Sequence, residues 1–219
     1  MSQGRFITFE GLDGCGKSTQ LKLLAESLCA RSFDVVTTRQ PGGTSFGDKL
    51  RKLLLDSKTG KLDPHTELAM MFADRAQCIV EVIRPALDAG KIVLCDRFTD
   101  STEAYQGGGR ELGSEAVLTL HRVVCNNLQP DLTLLLTPDF EASLSRARRR
   151  NDKMTARGTN ENRFELEQAA FFRRVFDKYA EIAQREPVRV VTINGDATID
   201  EVHHRIVSLI QQRLQLSPA

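Results

Sequence analysis

Short apolar runs alternate along the chain with longer stretches in which apolar residues recur at helical spacing. The short runs have the length of strands, and the stretches between them have the length of helices. This alternation is typical of an α/β fold, in which a parallel sheet carries helices on both faces. The predicted strands are Arg5–Phe9, Asp34–Thr38, Ile92–Cys95, Leu132–Leu136 and Val188–Ile193.

Apolar positions three and four residues apart mark the predicted helices. The first helix carries Leu21, Leu24, Ala25, Leu28 and Cys29; the second Leu68, Met71, Phe72, Arg75, Ile79, Val82 and Ile83; the third Val117, Leu120, Val124 and Leu128; the fourth Leu166, Ala169, Ala170, Val175, Phe176, Tyr179 and Ile182; the last Val202, Ile206, Leu209 and Ile210. Neither an internal repeat nor a low-complexity linker divides the sequence. We therefore expect a single domain over residues 1–219, with the polar segment Arg146–Asn162 outside its packed core.

The order of strands and helices also predicts where a ligand binds. In an open parallel sheet, ligands lie outside the carboxyl ends of the strands. We therefore expect one site where four loops converge, namely those that start near Glu10, Arg39, Asp96 and Thr137.

The loop after the first predicted strand has the pattern of a phosphate loop. It reads G-L-D-G-C-G-K-S, which matches G-x-x-x-x-G-K-[ST]. Glycines at such a strand-to-helix turn let backbone N–H groups surround phosphate oxygens, and the helix N-terminus favours negative charge. A chance glycine-rich turn is the alternative, but the flanking strand and helix favour nucleotide binding. The expected nucleotide contacts are Gly11, Leu12, Asp13, Gly14, Cys15, Gly16, Lys17, Ser18 and Thr19, with Lys17 at the β- and γ-phosphates and the Ser18 hydroxyl on Mg²⁺.

A second chemical signal follows the third predicted strand. The segment K-I-V-L-C-D-R delivers Asp96 and Arg97 to the edge of the sheet where the phosphates are expected. An acid at this point can hold Mg²⁺ directly or through water. The planar guanidinium of Arg97 can bind a second phosphoryl group. A structural ion pair between the two side chains, capping the strand end, is the alternative.

Composition excludes several classes of protein. Lys and Arg number 30 against 29 for Asp and Glu, so the net charge of +1 provides no global attraction to nucleic acid or to a membrane. The five cysteines are dispersed without zinc-site spacing, which fits reduced thiols better than a disulfide framework. A signal peptide and a run of membrane-spanning length are both absent from the sequence, so we expect a cytoplasmic protein.

Several segments in order along the chain together carry a family resemblance. They are G-L-D-G-C-G-K-S-T at Gly11–Thr19, T-R-Q-P-G-G-T at Thr38–Thr44, M-F-A-D-R at Met71–Arg75, D-R-F-T-D-S-T-E-A-Y-Q-G-G-G-R at Asp96–Arg110, and Q-P-D-L-T-L-L-L at Gln129–Leu136. The sequence resembles the thymidylate kinases, which transfer the γ-phosphate of ATP to dTMP. The resemblance implies a phosphate-loop NTPase fold, a five-stranded parallel sheet, a mobile basic lid at about residues 146–163, Mg²⁺ with the ATP, and a homodimer formed through the helix that contains Met71.

The resemblance also assigns an expected role to each matching residue. Phe72 would stack on the thymine ring and Arg75 would hydrogen-bond its edge, although Phe72 without this context is an ordinary core residue. Tyr105 would pack beneath the deoxyribose where a 2′-hydroxyl would be crowded; alternatively, it ends a helix before Gly107–Gly109. The implied dTMP-binding set is Asp13, Arg39, Phe72, Arg75, Arg97, Ser101, Tyr105 and Gln106, and the implied catalytic set is Lys17, Asp96, Arg97 and Arg150.

A basic segment corresponds to the lid of these kinases. Its cations are Arg146, Arg148, Arg149, Arg150, Lys153 and Arg157. Cys15 occupies the phosphate-loop position where some family members carry an arginine, so the neutralising charge is expected from the lid. Arg150 aligns best with that role, with Arg146 as a further ATP contact. A solvated charged face is the alternative for most of these side chains.

Two positions depart from the family pattern. Gln40 replaces the acid of T-R-E-P-G-G, and Asn162 replaces the acid that precedes R-F-E after the lid. Gln40 can hydrogen-bond a metal-bound water but adds no charge. We still expect phosphoryl transfer without that acid, because Asp96 and Asp13 are present.

Other function classes fit the sequence less well. A kinase for another nucleoside monophosphate or a small metabolite would share the phosphate loop, the lid and Asp96. A GTPase-like switch would need an N-K-x-D guanine motif, which the sequence lacks. A module that binds nucleotide without turnover is disfavoured by the presence of Lys17, Ser18 and Asp96. We expect ATP and dTMP as partners, with neither nucleic acid nor a membrane.

Overall fold

A computed structural model describes residues 4–146, 163–164 and 167–214. Within these ranges, five strands form one sheet in the order β2-β3-β1-β4-β5, and every neighbouring pair is parallel. The prediction of a five-stranded parallel sheet is confirmed. The strands are β1 (Arg5–Glu10), β2 (Val35–Arg39), β3 (Ile92–Asp96), β4 (Leu132–Leu136) and β5 (Val190–Ile193).

The ends of the strands differ slightly from the predicted ones. β1 and β3 each continue one residue further, into Glu10 and Asp96, because parallel pairing continues through both residues. β5 begins two residues later than predicted, since a turn at residues 187–189 brings the Val190 N–H within 2.8 Å of the Glu186 carbonyl oxygen. Val188 is therefore left 80% exposed.

Helices connect the strands and cover both faces of the sheet, as predicted. They are α1 (Lys17–Ala30), α2 (Ser45–Leu55), α3 (Pro64–Cys78), α4 (Arg84–Asp88), α5 (Thr99–Thr102), α6 (Ser114–Val124), α7 (Ala169–Arg185) and α8 (Ile199–Leu214). Residues 140–146 are also helical. The sequence analysis missed α2, whose first turn is stabilised by a 2.8 Å hydrogen bond from the Gly47 N–H to the Thr44 side chain.

The alternation of side chains along β1 explains the two apolar layers. Ile7 and Phe9 belong to a cluster that includes residues of α1 and α8. Phe6 belongs to a separate cluster with Val93 of β3 and residues of α3 and α6. The sheet is thus buried on both faces, which is why its strands read as continuous apolar runs.

One predicted helix boundary is wrong. The third predicted helix ends at Val124 rather than at Leu128, because Asn126 and Asn127 have φ values of 48° and 52° and leave the helical conformation. The predicted long helix around Met71 is present, but it consists of α3, a π-helical turn at Ile79–Ile83, and α4.

The helix that contains Tyr105 and Gln106 does not stop ahead of Gly107–Gly109, as one interpretation of these residues required, but ends at Gly109. A π-helical segment, Glu103–Gly109, continues α5 through all three glycines. A Cβ atom on Gly109 would lie 2.5 Å from the Phe171 ring, and one on Gly108 would lie 2.8 Å from the Lys178 Cβ. Gly108 and Gly109 are needed because α7 packs directly against this segment.

Most of the predicted lid lies outside the described residues, including Arg148, Arg149, Arg150 and Asn162. Of that segment, the structure describes Arg146 and Arg163. In the described parts of the chain, no helix is both long and apolar enough to cross a membrane.

Candidate active site

A cleft of about 610 Å³ lies at the carboxyl ends of the strands. The loops after β1, β2 and β3 all contribute to it, as expected. The loop that starts at Thr137 does not; that part of the chain reaches the cleft only further on, at Arg146. The sequence-predicted residues that line the cleft are Asp13, Gly14, Gly16, Lys17, Ser18, Thr19, Arg39, Arg75, Asp96, Arg97, Ser101, Tyr105, Gln106 and Arg146.

The phosphate loop curls tightly between β1 and α1. Gly11 and Gly16 have φ values of 128° and 100°, a region that favours glycine, and a Cβ on Gly11 would lie 2.4 Å from the Leu136 carbonyl oxygen. Gly11, Leu12 and Cys15 belong to the loop without lining the cleft. The loop ends at the N-terminus of α1, where unpaired N–H groups and the helix dipole suit an anion.

Lys17, the first residue of α1, is held against this loop. Its Nζ donates hydrogen bonds to the carbonyl oxygens of Gly11 at 3.0 Å and Leu12 at 2.8 Å. At the mouth of the loop, the Arg146 Nε donates to the Gly14 carbonyl oxygen at 3.0 Å. Two cations thus converge on the place where a polyphosphate would lie.

Ser18 and Asp96 meet although they lie on different elements. The Ser18 Oγ donates a 2.5 Å hydrogen bond to Asp96 Oδ2 at the end of β3. A hydroxyl and a carboxylate oxygen are hard ligands, and Mg²⁺ in kinases uses only one or two protein ligands beside substrate phosphates and water. The pair therefore fits the metal predicted for it.

Arg97 lies at the centre of a hydrogen-bonded cluster. Its backbone has a φ of 74°, a conformation that non-glycine residues adopt at strained functional turns. Its Nη2 donates to Asp13 Oδ1 at 2.9 Å and to the Tyr105 hydroxyl at 3.2 Å, while its Nη1 donates to Ser101 Oγ at 2.9 Å and to the Tyr179 hydroxyl at 3.2 Å. Burial alone would lower the pKa of Arg97, but Asp13 and the neighbouring oxygens raise it well above its ordinary value. Arg97 is therefore a permanent cation.

Glu10 lies beneath Arg97 and was missed as a site residue. It is completely buried, and its Oε1 accepts a 2.7 Å hydrogen bond from the Phe98 N–H. Its Oε2 accepts from the Ser101 hydroxyl and, at 3.1 Å, from the Tyr179 hydroxyl. Burial, together with the charge of Asp100, raises the pKa of Glu10. In the sequence, the one signal that could have identified Glu10 as a site residue was its position as a carboxylate at the end of an apolar strand.

Arg75 closes the other end of the cleft. It is 2% exposed, and its Nε donates to Gln40 Oε1 at 2.7 Å. Its Nη2 donates to the Phe98 carbonyl oxygen at 3.1 Å and to Thr102 Oγ1 at 2.9 Å. Burial lowers the pKa of Arg75. Gln40 therefore occupies the family's acidic position as a neutral partner of this buried cation.

Phe72 does not line the cleft. The side chain is 2% exposed in the cluster beneath α3 and α6, and the Arg75 guanidinium carbon lies 5.0 Å from the centre of its ring. Arg39 lines the cleft at its open side, where its Nη2 pairs with Asp48 Oδ1 at 3.3 Å.

Gln106, Arg110 and the last residue of the predicted lid, Arg163, share a buried acid. The carboxylate of Glu67 is completely buried, and it accepts hydrogen bonds from Gln106 at 2.8 Å, Arg110 at 3.1 Å and Arg163 at 2.7 Å. The next residue, Phe164, lines the cleft. Sequence reasoning missed Glu67 because it named only the M-F-A-D-R part of α3.

The comparisons with known proteins agree with this geometry. A family model described as thymidylate kinase matches residues 9–206. The chain belongs to the thymidylate kinase family. It is 49% identical over 212 residues to a thymidylate kinase of Pelobacter propionicus, an alignment that covers 96% of each chain. It is 44% identical over 211 residues to a thymidylate kinase of Geotalea uraniireducens, covering 96% of this chain and 98% of the other.

A solved thymidylate kinase structure also matches the fold. The structure from Ehrlichia chaffeensis superposes with a TM-score of 0.75 at 34% identity and covers 95% of this chain and 99% of its own. As a member of the thymidylate kinase family, the chain is a nucleoside monophosphate kinase. Four of the five family motifs quoted above contribute residues to one cleft, and the fifth, Gln129–Leu136, contains strand β4.

Proposed function

We propose that the protein transfers the γ-phosphate of ATP to dTMP, giving dTDP and ADP. The observation that carries this proposal is that the phosphate loop and the Arg97 cluster face the same cleft, with Asp96 between them. Two phosphate-binding centres on one cleft suit a reaction that brings a phosphoryl donor and a phosphoryl acceptor together.

The donor side is formed by α1 and the phosphate loop. Lys17 would leave the carbonyl oxygens of Gly11 and Leu12 and bind the β- and γ-phosphates, since anionic oxygens are stronger acceptors than carbonyls. Ser18 and Asp96 would hold Mg²⁺, which when bound neutralises charge on the β- and γ-phosphates. Arg146 would add a second cation from the start of the lid, and Arg150, outside the described residues, remains the proposed catalytic arginine.

The acceptor side is formed by the loops after β2 and β3. Arg97 and Arg39 would bind the dTMP phosphate, with Asp13 at the 3′-hydroxyl. Arg75, already directed by Gln40 and Thr102, would hydrogen-bond the edge of the thymine ring. The Arg75 guanidinium covers one face of the Phe72 ring. Stacking of the thymine ring on Phe72 would therefore require Arg75 to move away from that face or to share it with the base.

The sugar pocket depends on Tyr105. Its ring packs edge-on against Phe164 at 5.7 Å and Phe171 at 6.1 Å, and its hydroxyl donates to Asp13 Oδ2 at 3.1 Å. A ring held on three sides cannot move aside for an extra hydroxyl. This is the support for the proposed preference for deoxyribose.

A homodimer through α3 is also proposed. Ala69 and Ala73 of α3 are exposed, as are Val80 of the following turn (69%) and Val123 of α6 (73%). Ala69, Ala73 and Val80 are spaced to share one face of the helix, and an apolar stripe of this kind suits a symmetric helix–helix contact. The cytoplasm remains the proposed location, which the free state of all five cysteines supports.

The decisive experiment measures ADP release with ATP·Mg²⁺ and a panel of nucleoside monophosphates. We expect dTMP to be preferred, dUMP to be weaker and UMP poorer still. Faster turnover of CMP, AMP or GMP than of dTMP would contradict the acceptor assignment while leaving phosphate-loop kinase activity intact.

A further inference from the structure

We infer that Glu10 and Tyr179 are positioning residues that fix the guanidinium of Arg97 for the acceptor phosphate. This inference rests on the proposed function, because it concerns the same acceptor site. Glu10 and Tyr179 do not line the cleft, so both act through Arg97 and Ser101 rather than on a ligand.

The hydrogen positions around Arg97 follow from a count of donors. Both Nη1 hydrogens are used, one by Ser101 Oγ at 2.9 Å and one by the Tyr179 hydroxyl at 3.2 Å. An arginine can only donate, so both hydroxyl oxygens must accept from it. Each hydroxyl hydrogen must then point elsewhere. The Glu10 carboxylate is an acceptor for both, and because the two hydroxyl oxygens lie 2.8 Å apart, one hydroxyl can also donate to the other on the way to Glu10.

The result is a polarised chain of hydrogen bonds from a cation, through two hydroxyls, to a buried carboxylate. Glu10 also accepts the Phe98 N–H at 2.7 Å, so three donors lie within reach of one carboxylate. These donors and the charge of Arg97 favour the ionised form of Glu10 and oppose the burial that raises its pKa. Glu10 is thereby the second countercharge of Arg97, beside Asp13. It lies on the central strand β1, and it is rigidly placed because this strand pairs on both sides.

The two sides of the guanidinium consequently have different tasks. The Nη2 partners, Asp13 and Tyr105, line the cleft and can exchange with an incoming phosphate. Of the Nη1 partners, Ser101 also lines the cleft, but Tyr179 lies outside it, is 2% exposed and is fixed by the packing of α7. The Nη1 side therefore anchors Arg97, and the Nη2 side binds the acceptor phosphate.

Tyr179→Phe tests this assignment, because phenylalanine keeps the ring in its apolar cluster and removes only the hydroxyl. Loss of one hydrogen bond to a charged group should weaken dTMP binding about tenfold. Thymidine, which has no phosphate, should bind within about twofold of its wild-type affinity, since Arg97 is not proposed to hold the nucleoside. Calorimetric titration with both compounds separates a positioning role from general damage.

Phe172→Leu is the matched control. Phe172 lies on the same helix and in the same cluster, is 3% exposed, and makes no hydrogen bond to the Arg97 network. This variant should lower the melting temperature without changing the ratio of dTMP to thymidine affinity. A Tyr179→Phe protein that lost affinity for both compounds equally, or for neither, would overturn the inference.

Glu10→Gln tests the same network from its other end. Glutamine can still accept the Phe98 N–H, but it places a donor where Ser101 and Tyr179 now donate. We expect dTMP binding to weaken about 100-fold, and Tyr179→Phe to add less than about twofold in that background, because both act through one arginine. If the two substitutions weakened dTMP binding additively, Glu10 and Tyr179 would not act through the same arginine, and the inference would be overturned.

Binding to the wild-type protein distinguishes failure of the proposed function from failure of this inference. In that case wild-type protein would bind neither dTMP nor thymidine, whatever the behaviour of the variants. Should Glu10→Gln fail to fold, the thymidine and dTMP comparison with Tyr179→Phe decides the question alone.

Discussion

The Ser18 hydroxyl and the Asp96 carboxylate lie 2.5 Å apart, although 78 positions separate them in the sequence. One belongs to the first turn of α1 and the other ends β3. Their contact joins the phosphate loop to the neighbouring strand at the point where both substrates are proposed to meet.

Asp96→Asn should lower kcat by about 100- to 1,000-fold, because it removes a metal-binding charge from the place where phosphoryl charge develops. The amide can still accept the Ser18 hydrogen bond, so the melting temperature should change little. Steady-state assays over a range of Mg²⁺ concentrations measure the effect, which should include a rise in the Mg²⁺ requirement. An unchanged Mg²⁺ requirement would remove Asp96 from the metal site.

Lys17→Ala should reduce phosphoryl transfer to below about one thousandth of wild type while the protein stays folded. Its side chain makes hydrogen bonds to two loop carbonyl oxygens and supplies the charge for the β- and γ-phosphates. Lys22→Ala is the control on the same helix, since that side chain is 77% exposed and pairs with the exposed Glu26 at 3.8 Å. Circular dichroism and ADP release are measured on both variants; normal turnover in Lys17→Ala would contradict the phosphate-loop assignment.

Tyr105→Leu should reduce the ratio of kcat/KM for dUMP to kcat/KM for UMP more than it reduces the ratio for dTMP to dUMP. The ring blocks the position of a 2′-hydroxyl, whereas the thymine methyl contributes only about 10- to 200-fold from an apolar pocket. Values of kcat/KM for the three nucleotides give both ratios. Tyr105→Phe keeps the ring and should lower all three values alike, so a loss of sugar discrimination in that variant would show that the hydroxyl, not the ring, excludes ribose.

Asp74→Asn should stabilise the protein at neutral pH. Asp74 is completely buried, its Oδ1 accepts the Gly42 N–H at 2.8 Å, and burial raises its pKa to about 6. Because this pKa lies above the ordinary value of 3.8, the folded state binds more protons than the unfolded state between about pH 4 and 6. The free energy of unfolding should therefore fall as pH rises through this window, by up to about 3 kcal/mol for this group.

Melting curves from pH 4 to 8 check the effect of Asp74. His121 acts in the opposite direction, since burial lowers its pKa to about 4 and its neutral form is favoured on folding. The difference between wild type and Asp74→Asn isolates the carboxylate from the histidine. Asp88→Asn, at an exposed position, should leave the curve unchanged. Equal pH profiles for wild type and Asp74→Asn would contradict the prediction.

Ala73→Arg should prevent dimerisation, because a charged side chain would be placed in the middle of the exposed apolar stripe of α3. Sedimentation velocity at micromolar concentration should show a dimer for wild type and a monomer for the variant. Ala180→Arg, at an exposed position on α7, should remain dimeric. A monomeric wild-type protein would contradict the proposed interface.

The sequence by itself determined the parallel α/β fold and the donor half of the site. A phosphate loop is contiguous, so its glycines, Lys17 and Ser18 are recognisable without knowledge of any distant contact. Strands buried on both faces read as apolar runs for the same local reason. Two boundaries that were predicted wrongly, the start of β5 at Val188 and the helix end at Leu128, depend on turns.

Only the tertiary structure decided how the acceptor half is assembled. Glu10 and Tyr179 are 169 positions apart and become neighbours because β1 is central in the sheet and α7 packs over its end. Phe72 is covered by Arg75, and Gln106 is held by Glu67, through contacts between separate elements. Local spacing predicts which face of an element is apolar, but the partner that a buried polar group meets depends on strand order and helix packing. Those contacts place the Arg97 network beneath the cleft.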